Sequence, residues 1–235
     1  MTIDFTLSPE LEEIRVKIRN FINTEVKPVE ETIERDKLDQ TDRDQYISLL
    51  VGMRKKAFSE GLWLPHMPKD WGGMGLGHVE LAMVQAEAAK SYYGPWVLNC
   101  QAPDEGNMHT LLHWGTDEQL DKYLKPLCEG RATSCFAMTE PEVAGSDPTL
   151  IQTSGYEDGD EWVITGHKWF ISNAHRANFA ILIVRTEENP DIPQAGNSAF
   201  IIDLPHEGWT EVREVETMHG GTGHSEILIE EMCVN

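Results

Sequence analysis

Apolar residues recur near helical spacing through the first 130 residues of the chain. The run SPELEEIRVKIRNFINTEV, which begins at Ser8, places six of them near helical spacing: Leu11, Ile14, Val16, Ile18, Phe21 and Ile22. Ser8 is a candidate N-cap, and acids crowd the turn that follows it, where the helix dipole favours negative charge. The pattern predicts a first helix of several turns.

Four further helical stretches are predicted before residue 131, at residues 42–61, 77–92, 106–114 and 116–128. In the first of them, Gly61 is the predicted stop. Its apolar residues are expected on one side of the helix: Tyr46, Leu49, Leu50, Met53 and Phe58. We therefore predict an N-terminal helical domain over residues 1–130.

Beyond Gly130 the period of the apolar positions changes to two. The run IQTSGYEDGDEWVITGHKWFIS predicts a strand, an Asp-Gly turn and a second strand. Further strands are predicted at NFAILIVRT, SAFIIDL, WTEVREV and SEILIEEMCV, separated by Gly, Pro and Asn. Short strands at this spacing are typical of an antiparallel barrel or sandwich. The predicted fold class is α+β and multidomain: a helical bundle, then an antiparallel β-barrel or sandwich over residues 131–235.

Composition and charge narrow the range of partners. The chain has 235 residues, 40% of them hydrophobic, and its 40 acidic and 19 basic residues give a formal net charge of −21. Such a charge repels nucleic acids and anionic membrane surfaces, so neither is an expected partner. The four cysteines form no CxxC pair, no secretory signal is recognised, and the longest apolar runs are too short to span a bilayer. A cytoplasmic location is expected.

Several familiar motifs are incomplete. The glycines of WGGMGLG at residues 71–77 fit no GxGxxG register and favour an irregular interhelical loop. His109 and His113 lie four residues apart, but no glutamate follows His109, so the zinc-protease pattern fails. No serine lies in a GxSxG elbow. We expect no metal site and no serine-hydrolase chemistry.

The stretch FAMTEPEVAGSDP, residues 136–148, lies just after the change from helical to strand periodicity. Amides around Gly145 and Ser146, together with the hydroxyls of Thr139 and Ser146, could donate hydrogen bonds to an electron-rich ring or a phosphate. Phe136 and Met138 would add apolar contacts. The residues alone leave two interpretations open, a ligand-binding loop and a capped turn between helix and strand.

Two longer motifs add a resemblance to a known family. SCFAMTEPEVAGSD resembles the flavin-binding signature of the acyl-CoA dehydrogenases, and GHKWFISNAHRANFAILIVRT (Gly166–Thr186) resembles their second signature. MPKDWGGMGL, GTDEQLDKYLKPLCEG and HSEILIEEMCV are also similar to the family, so the resemblance covers essentially the whole chain. TEPEVAGSD is one residue longer than the common TEPGAGSD and resembles the branch that acts on longer acyl chains.

The resemblance implies FAD as the cofactor. In the first motif, Phe136, Met138 and Thr139 would line the ring, and Thr139 would bond its polar edge. Gly145 would allow close approach of the backbone, and Ser146 would contact the CoA portion of the substrate or the cofactor. In the second motif the implied cofactor contacts are Phe170, Ile171 and Ser172. Glu140 and Asp147 are expected to shape the loop rather than act as bases.

The implied activity is dehydrogenation of acyl-CoA thioesters to trans-2-enoyl-CoA in fatty acid β-oxidation, with an electron-transfer flavoprotein or similar acceptor. The family continues into a C-terminal helical bundle that carries the catalytic base. We therefore expect no catalytic residue in these 235 residues. The chain is expected to be a fragment or split subunit, working as a homo-oligomer or with a separate C-terminal-domain chain. Two alternatives are a flavin-dependent oxidase or monooxygenase of the same superfamily and a non-catalytic partner-binding module.

Overall fold

The computed structural model describes residues 7–32, 43–187, 191, 196–218 and 223–234, without the side chains of residues 43–46. The chain forms two compact units, residues 1–105 and residues 106–235. Each unit has its own hydrophobic core.

The first unit is helical. Its helices are α1 (Pro9–Phe21), α2 (Lys27–Thr32), α3 (Arg43–Ser59), α4 (His78–Ala88) and α5 (Gly94–Val97), with a π-helical turn at Ile22–Val26 and a 3-10 turn at Lys69–Trp71. The Oγ of Ser8 accepts a hydrogen bond from the amide of Leu11 at 3.2 Å. The predicted N-cap of the first helix is therefore confirmed.

The core of the first unit is formed by residues of α1, α3, α4 and α5, of the π-helical turn and of the segments that follow α3, α4 and α5. Its buried members are Ile18, Phe21, Ile22, Val26, Leu50, Met53, Ala57, Leu62, Val84, Ala88, Tyr93, Val97, Leu98 and Cys100. The predicted apolar side of α3 is correct at Leu50 and Met53 but wrong at Leu49 and Phe58, whose side chains are exposed. Phe58 lies five residues beyond Met53, about 140° around the helix, so the buried stripe continues through Ala57 instead. The side chain of Tyr46 lies outside the described residues.

The glycine-rich run WGGMGLG leads from the 3-10 turn to α4 as an irregular connection. Gly72 and Gly75 have φ of +80° and +66°, the left-handed region that glycine enters without steric cost. The predicted interhelical loop is confirmed.

The second unit begins with helices and continues as strands. Its helices are α6 (Asp104–Trp114), α7 (Asp117–Gln119) and α8 (Lys125–Cys128), with a π-helical turn at Leu120–Leu124 between the last two. Thr116 caps α7 in a capping box, in which its Oγ1 accepts from the amide of Gln119 and the Gln119 side chain accepts from the amide of Thr116.

Seven strands form one curled sheet in the second unit. They are β1 (Ser134–Ala137), β2 (Ser154–Asp158), β3 (Glu161–Ser172), β4 (Phe179–Arg185), β5 (Asn197–Asp203), β6 (Trp209–Glu214) and β7 (His224–Val234). The order is β1-β4-β2-β3-β7-β6, with β5 also paired to β4. The pairs β2–β3, β3–β7, β6–β7 and β4–β5 are antiparallel. The α+β class is thus confirmed.

The sheet differs from the predicted pattern in being mixed. β1 and β2 both run parallel to β4, the first through Ser134–Phe179 to Ala137–Leu182 and the second at Ser154–Arg185. Parallel strands need a long connection between them. The loops and strands between Ala137 and Phe179 provide it.

Helices of the second unit pack on its strands. The side-chain amide of Asn107 in α6 donates to the Oγ of Ser134 at 2.9 Å and to the carbonyl of Cys135 at 3.1 Å. The ring of Tyr123 lies 4.9 Å from that of Phe179, measured between centroids. The domain boundary predicted at residue 130 therefore falls inside this compact unit, between α8 and β1, and stays a prediction.

None of the helices in the described part of the chain combines the length and apolarity needed to cross a membrane.

Candidate functional site

The loop after β1 is joined to β3 by two hydrogen bonds at one residue pair. The amide of Trp169 donates to the carbonyl of Thr139 at 3.0 Å, and the Oγ1 of Thr139 donates to the carbonyl of Trp169 at 2.6 Å. This pairing brings the first signature stretch beside the second. Because the Thr139 hydroxyl proton is directed at Trp169, its oxygen lone pairs remain to accept a hydrogen bond from a ligand.

A bulge in β3 shapes the next residue. The register of β3 against β7 shifts between Lys168 and Ile171, so Trp169 and Phe170 both face a single residue of β7. Phe170 has φ of +53° and is 44% exposed. A bulky residue in this conformation is strained, and such strain is concentrated at functional sites. The Phe170 ring packs edge-on against the ring of Trp169 at 4.8 Å between centroids.

The other two predicted contacts on β3, Ile171 and Ser172, direct their side chains to opposite faces of the strand. Ile171 is buried in the core of the second unit, so only its backbone faces the other side of the strand. Ser172 is half-buried, and its Oγ lies 2.9 Å from the Nδ1 of His224. Of the three contacts predicted on β3, Phe170 and Ser172 are thus the two whose side chains can meet a ligand.

β1 shows the same alternation. Phe136 is exposed between Cys135 and Ala137, which are both buried. Met138 is half-buried, and its carbonyl accepts a hydrogen bond from the Nζ of Lys168 at 3.0 Å. Phe136 therefore offers an apolar surface on the face away from the core.

A buried ion pair between Lys168 and Glu140 fixes the position of the loop after β1. Lys168 is fully buried, and its Nζ donates to the Oε1 of Glu140 at 2.9 Å. The carboxylate of Glu140 also accepts from the amides of Gln152 at 2.7 Å and Thr153 at 2.9 Å. Burial alone would raise the pKa of Glu140, but the hydrogen bonds from Thr153, Gln152 and Lys168 outweigh it and lower the pKa. Burial lowers the pKa of Lys168, and Glu140 opposes that effect.

The rest of the loop is exposed and stabilised by short-range contacts. A Cβ on Gly145 would lie 3.1 Å from the Cγ2 of Thr139, so the loop passes close to that side chain. Ser146 is exposed. The Oδ1 of Asp147 accepts from the amide of Thr149 at 3.0 Å and from its hydroxyl at 2.6 Å. Asp147 and Glu140 thus both hold the loop in its shape.

The side chains of the two stretches have the chemistry that a flat ring with one polar edge requires. Phe136, Met138 and Phe170 supply partly or fully exposed apolar groups, whereas Thr139 and Ser172 supply hydroxyls. Isoalloxazine has both kinds of surface, so the residues present fit a flavin. Glu140 is committed to Lys168 and two backbone amides, which leaves it unsuited to abstract a proton.

Three residues of this region were not predicted from the sequence: Lys168, Trp169 and His224. A lysine in the otherwise apolar strand segment around GHKWFIS is a signal of a buried charge that needs an acid, and Glu140 is that acid. For His224 the sequence offers no comparable signal, since its contact with Ser172 depends on the register of β3 against β7.

Comparison with known proteins shows the family of the chain. Residues 8–131 match the model of the acyl-CoA dehydrogenase N-terminal domain, and residues 135–232 match that of the acyl-CoA dehydrogenase middle domain. Human acyl-CoA dehydrogenase family member 11 is 33% identical, over 95% of this chain and 29% of its own length. The probable acyl-CoA dehydrogenase FadE2 of Mycobacterium tuberculosis is 32% identical, over 96% of this chain and 56% of its own.

A solved structure shows the same fold. The putative acyl-CoA dehydrogenase of Mycobacterium abscessus superposes with a TM-score of 0.87 at 30% identity, covering 98% of this chain and 60% of that one. The chain therefore spans between 29% and 60% of the length of these relatives. With both family models matched along nearly its whole length, the chain belongs to the acyl-CoA dehydrogenase family.

Proposed function

We propose that this chain forms the flavin-contacting part of an FAD-dependent acyl-CoA dehydrogenase, an oxidoreductase that converts acyl-CoA thioesters to trans-2-enoyl-CoA. The observation that carries the proposal is the paired Thr139 and Trp169 beside the strained, exposed Phe170. Membership of the family supports it. The two signature stretches also meet at this pair.

Each residue has a separate task in this proposal. Phe136, Met138 and Phe170 pack against the faces and edges of the ring, and the hydroxyls of Thr139 and Ser172 bond its polar edge. FAD, when bound, supplies the electron acceptor of the reaction, while the protein orients the ring and keeps water from it. The hydrogen bonds with Trp169 hold Thr139 against β3. A hydrogen-bonding group that is already in place needs no rearrangement during the reaction.

The remaining predicted contacts have smaller tasks. Ile171 contributes backbone groups alone because its side chain is in the core. The loop at Gly145 and Ser146 meets the CoA portion of the substrate or the cofactor. We place the proton-abstracting carboxylate outside these 235 residues, in a C-terminal helical domain of the same protein or of a separate chain. The electron acceptor is an electron-transfer flavoprotein or a similar protein, the assembly is an oligomer, and the location is cytoplasmic.

FAD titration of the purified chain tests the cofactor. The bound flavin should show its visible absorption, and FAD at a hundredfold its Kd should stabilise the fold by about 2.7 kcal/mol, which raises the Tm by several degrees. Phe170→Ala should weaken binding about tenfold. The matched control is Tyr156→Ala, an exposed aromatic side chain on β2 of the same unit, which should leave the affinity unchanged.

Acyl-CoA thioesters of increasing chain length test the reaction. Together with the chain or protein that supplies the C-terminal domain, the flavin-loaded chain should reduce a dye acceptor. Rapid oxygen consumption by the reduced protein would favour the oxidase or monooxygenase instead. A chain that takes up no flavin but purifies with a stoichiometric partner would contradict the proposal and favour a partner-binding module.

A further inference from the structure

His224, the first residue of β7, contacts two of the side chains assigned to the flavin. It is paired with Ser172 in the ladder between β3 and β7, and its Nδ1 lies 2.9 Å from the Oγ of Ser172. Its ring also packs edge-on against Phe170, at 6.4 Å between centroids and 63° between planes. His224 therefore supports Ser172 and Phe170 from the neighbouring strand.

The backbone around His224 is anchored on both sides, so the residue keeps its place opposite Ser172. The carbonyl of His224 accepts from the amide of Val215 at 2.7 Å, and the carbonyl of Gly223 accepts from the amide of Asn173 at 2.9 Å. A side chain held in this way can act on its partner with a fixed geometry.

The direction of the hydrogen bond between these two side chains decides what Ser172 can do. When Nδ1 carries no proton, it accepts the hydroxyl proton of Ser172, and the serine oxygen can only accept from a third group. When Nδ1 carries a proton, it donates to the serine oxygen, and the Ser172 hydroxyl is free to donate outward.

We propose that His224 is a positioning residue that holds the Ser172 hydroxyl and sets whether it donates to, or accepts from, the flavin. The inference rests on the proposed function, which places Ser172 at the polar edge of the ring. That edge has both acceptor atoms and an N–H donor. The pair of Ser172 and His224 can satisfy either kind of atom through a change of the His224 tautomer, in which the single ring proton is carried on Nδ1 instead of Nε2, together with a rotation of the Ser172 hydroxyl and no movement of the backbone.

Nuclear magnetic resonance tests the pair without flavin. In the chain labelled with ¹⁵N-histidine, the His224 ring nitrogens are assigned from the signals that disappear in His224→Asn. Ser172→Ala should shift the Nδ1 resonance of His224, because the nitrogen loses its partner. Ser198→Ala, which removes a hydroxyl bonded instead to Thr186, is the matched control and should leave the resonance in place. A His224 spectrum unchanged by Ser172→Ala would overturn the inference.

FAD titration tests the consequence at the site. His224→Leu should weaken binding about tenfold, since Ser172 loses the group that orients it. His224→Asn can place an amide atom near the position of Nδ1 and should restore the affinity to within about threefold of wild type. The control His113→Leu, an exposed histidine of α6, should change nothing. Thermal midpoints without FAD check that each variant folds.

The outcomes separate the two proposals. Wild-type affinity in a folded His224→Leu variant would overturn the role of His224 and leave the flavin site standing. Failure of the wild-type chain itself to bind FAD would overturn the proposed function of this chain, and with it the role of His224 at the cofactor.

Discussion

Among the residues that the structure describes, each compact unit has one buried glutamate, and the two are held in opposite ways. Glu87 in α4 of the helical unit is bound by three cations: Arg15 at 2.8 Å, Arg19 at 2.6 Å and Lys90 at 2.6 Å. Glu140 in the second unit has a single cation, Lys168 at 2.9 Å, and two backbone amides.

The cations around the two glutamates differ in how far they are exposed to solvent. The side chains around Glu87 are 20%, 38% and 47% exposed, so each keeps part of its hydration and each can substitute for another. The side chain of Lys168 is 0% exposed, and it also holds the Met138 carbonyl. The first arrangement tolerates the loss of a partner. The second fixes one geometry, and it lies directly beneath the loop that carries Thr139.

The largest effect on stability is expected from the removal of Lys168. Lys168→Met should lower the free energy of unfolding by about 3–5 kcal/mol, because it leaves a buried carboxylate without its cation. Urea or guanidinium unfolding of the purified chain measures the loss. The double variant Lys168→Met/Glu140→Gln should recover part of it, since no charge then remains buried.

Lys125→Met is the matched control for Lys168. Lys125 is exposed and lies 3.9 Å from Asp121, and its removal should change the stability by no more than about 0.5 kcal/mol. If Lys168→Met were as mild as Lys125→Met, the site loop would not depend on the buried pair.

Two residues with positive φ allow a second comparison, between a residue that stabilises the fold and one that we assign to the site. Leu64 in the helical unit and Phe170 in the second unit have φ of 55° and 53°. Leu64 is fully buried, whereas Phe170 is 44% exposed. Leu64→Gly should therefore destabilise the chain by about 2–4 kcal/mol, since the lost packing exceeds the relieved strain.

Phe170→Gly should have the opposite character. The strain is relieved while little packing is lost, so the stability should stay within about 1 kcal/mol of wild type or rise. FAD affinity should nevertheless fall. Thermal unfolding and FAD titration of both glycine variants measure the two effects, and a large loss of stability in Phe170→Gly would show that the ring serves the fold rather than a ligand.

Local signals in the sequence were sufficient for most elements of the fold, although the short helix α5 and the strand β1 were not predicted. Ser8 and Thr116 act as N-caps because the side-chain oxygen accepts from an amide two or three residues inside the helix. The change from helical to alternating periodicity after Gly130 located the strands β2 to β7 but not the short strand β1. The parallel pairing of β1 with β4 could not be predicted, since it joins residues more than 40 positions apart, such as Ser134 and Phe179, and no short turn fixes its register.

The two stretches that form the site could be predicted from the sequence, but their arrangement in space could not. Alternation along β3 would have placed Ile171 on the opposite face from Phe170 and Ser172. The bulge that gives Phe170 its positive φ, and the register that brings His224 to Ser172, arise from pairing with β7. Such contacts between distant segments carry no mark in local composition.

The loss of stability at acidic pH tests the contribution of Glu87 and its three cations, from which we expect the smallest effect. Hydrogen bonds from Arg19, then Lys90 and Arg15, lower the pKa of Glu87 to about 2 from its usual 4.5, against the effect of burial. A depressed pKa in the folded state contributes stability that is complete above pH 4.5 and is lost as the pH falls towards 2. Because its cations are hydrated, we expect about 1 kcal/mol from Glu87. Unfolding of wild type and Glu87→Gln at several pH values should show a gap at pH 6 that closes towards pH 2. A gap independent of pH would mean that Glu87 contributes by packing and not by its charge.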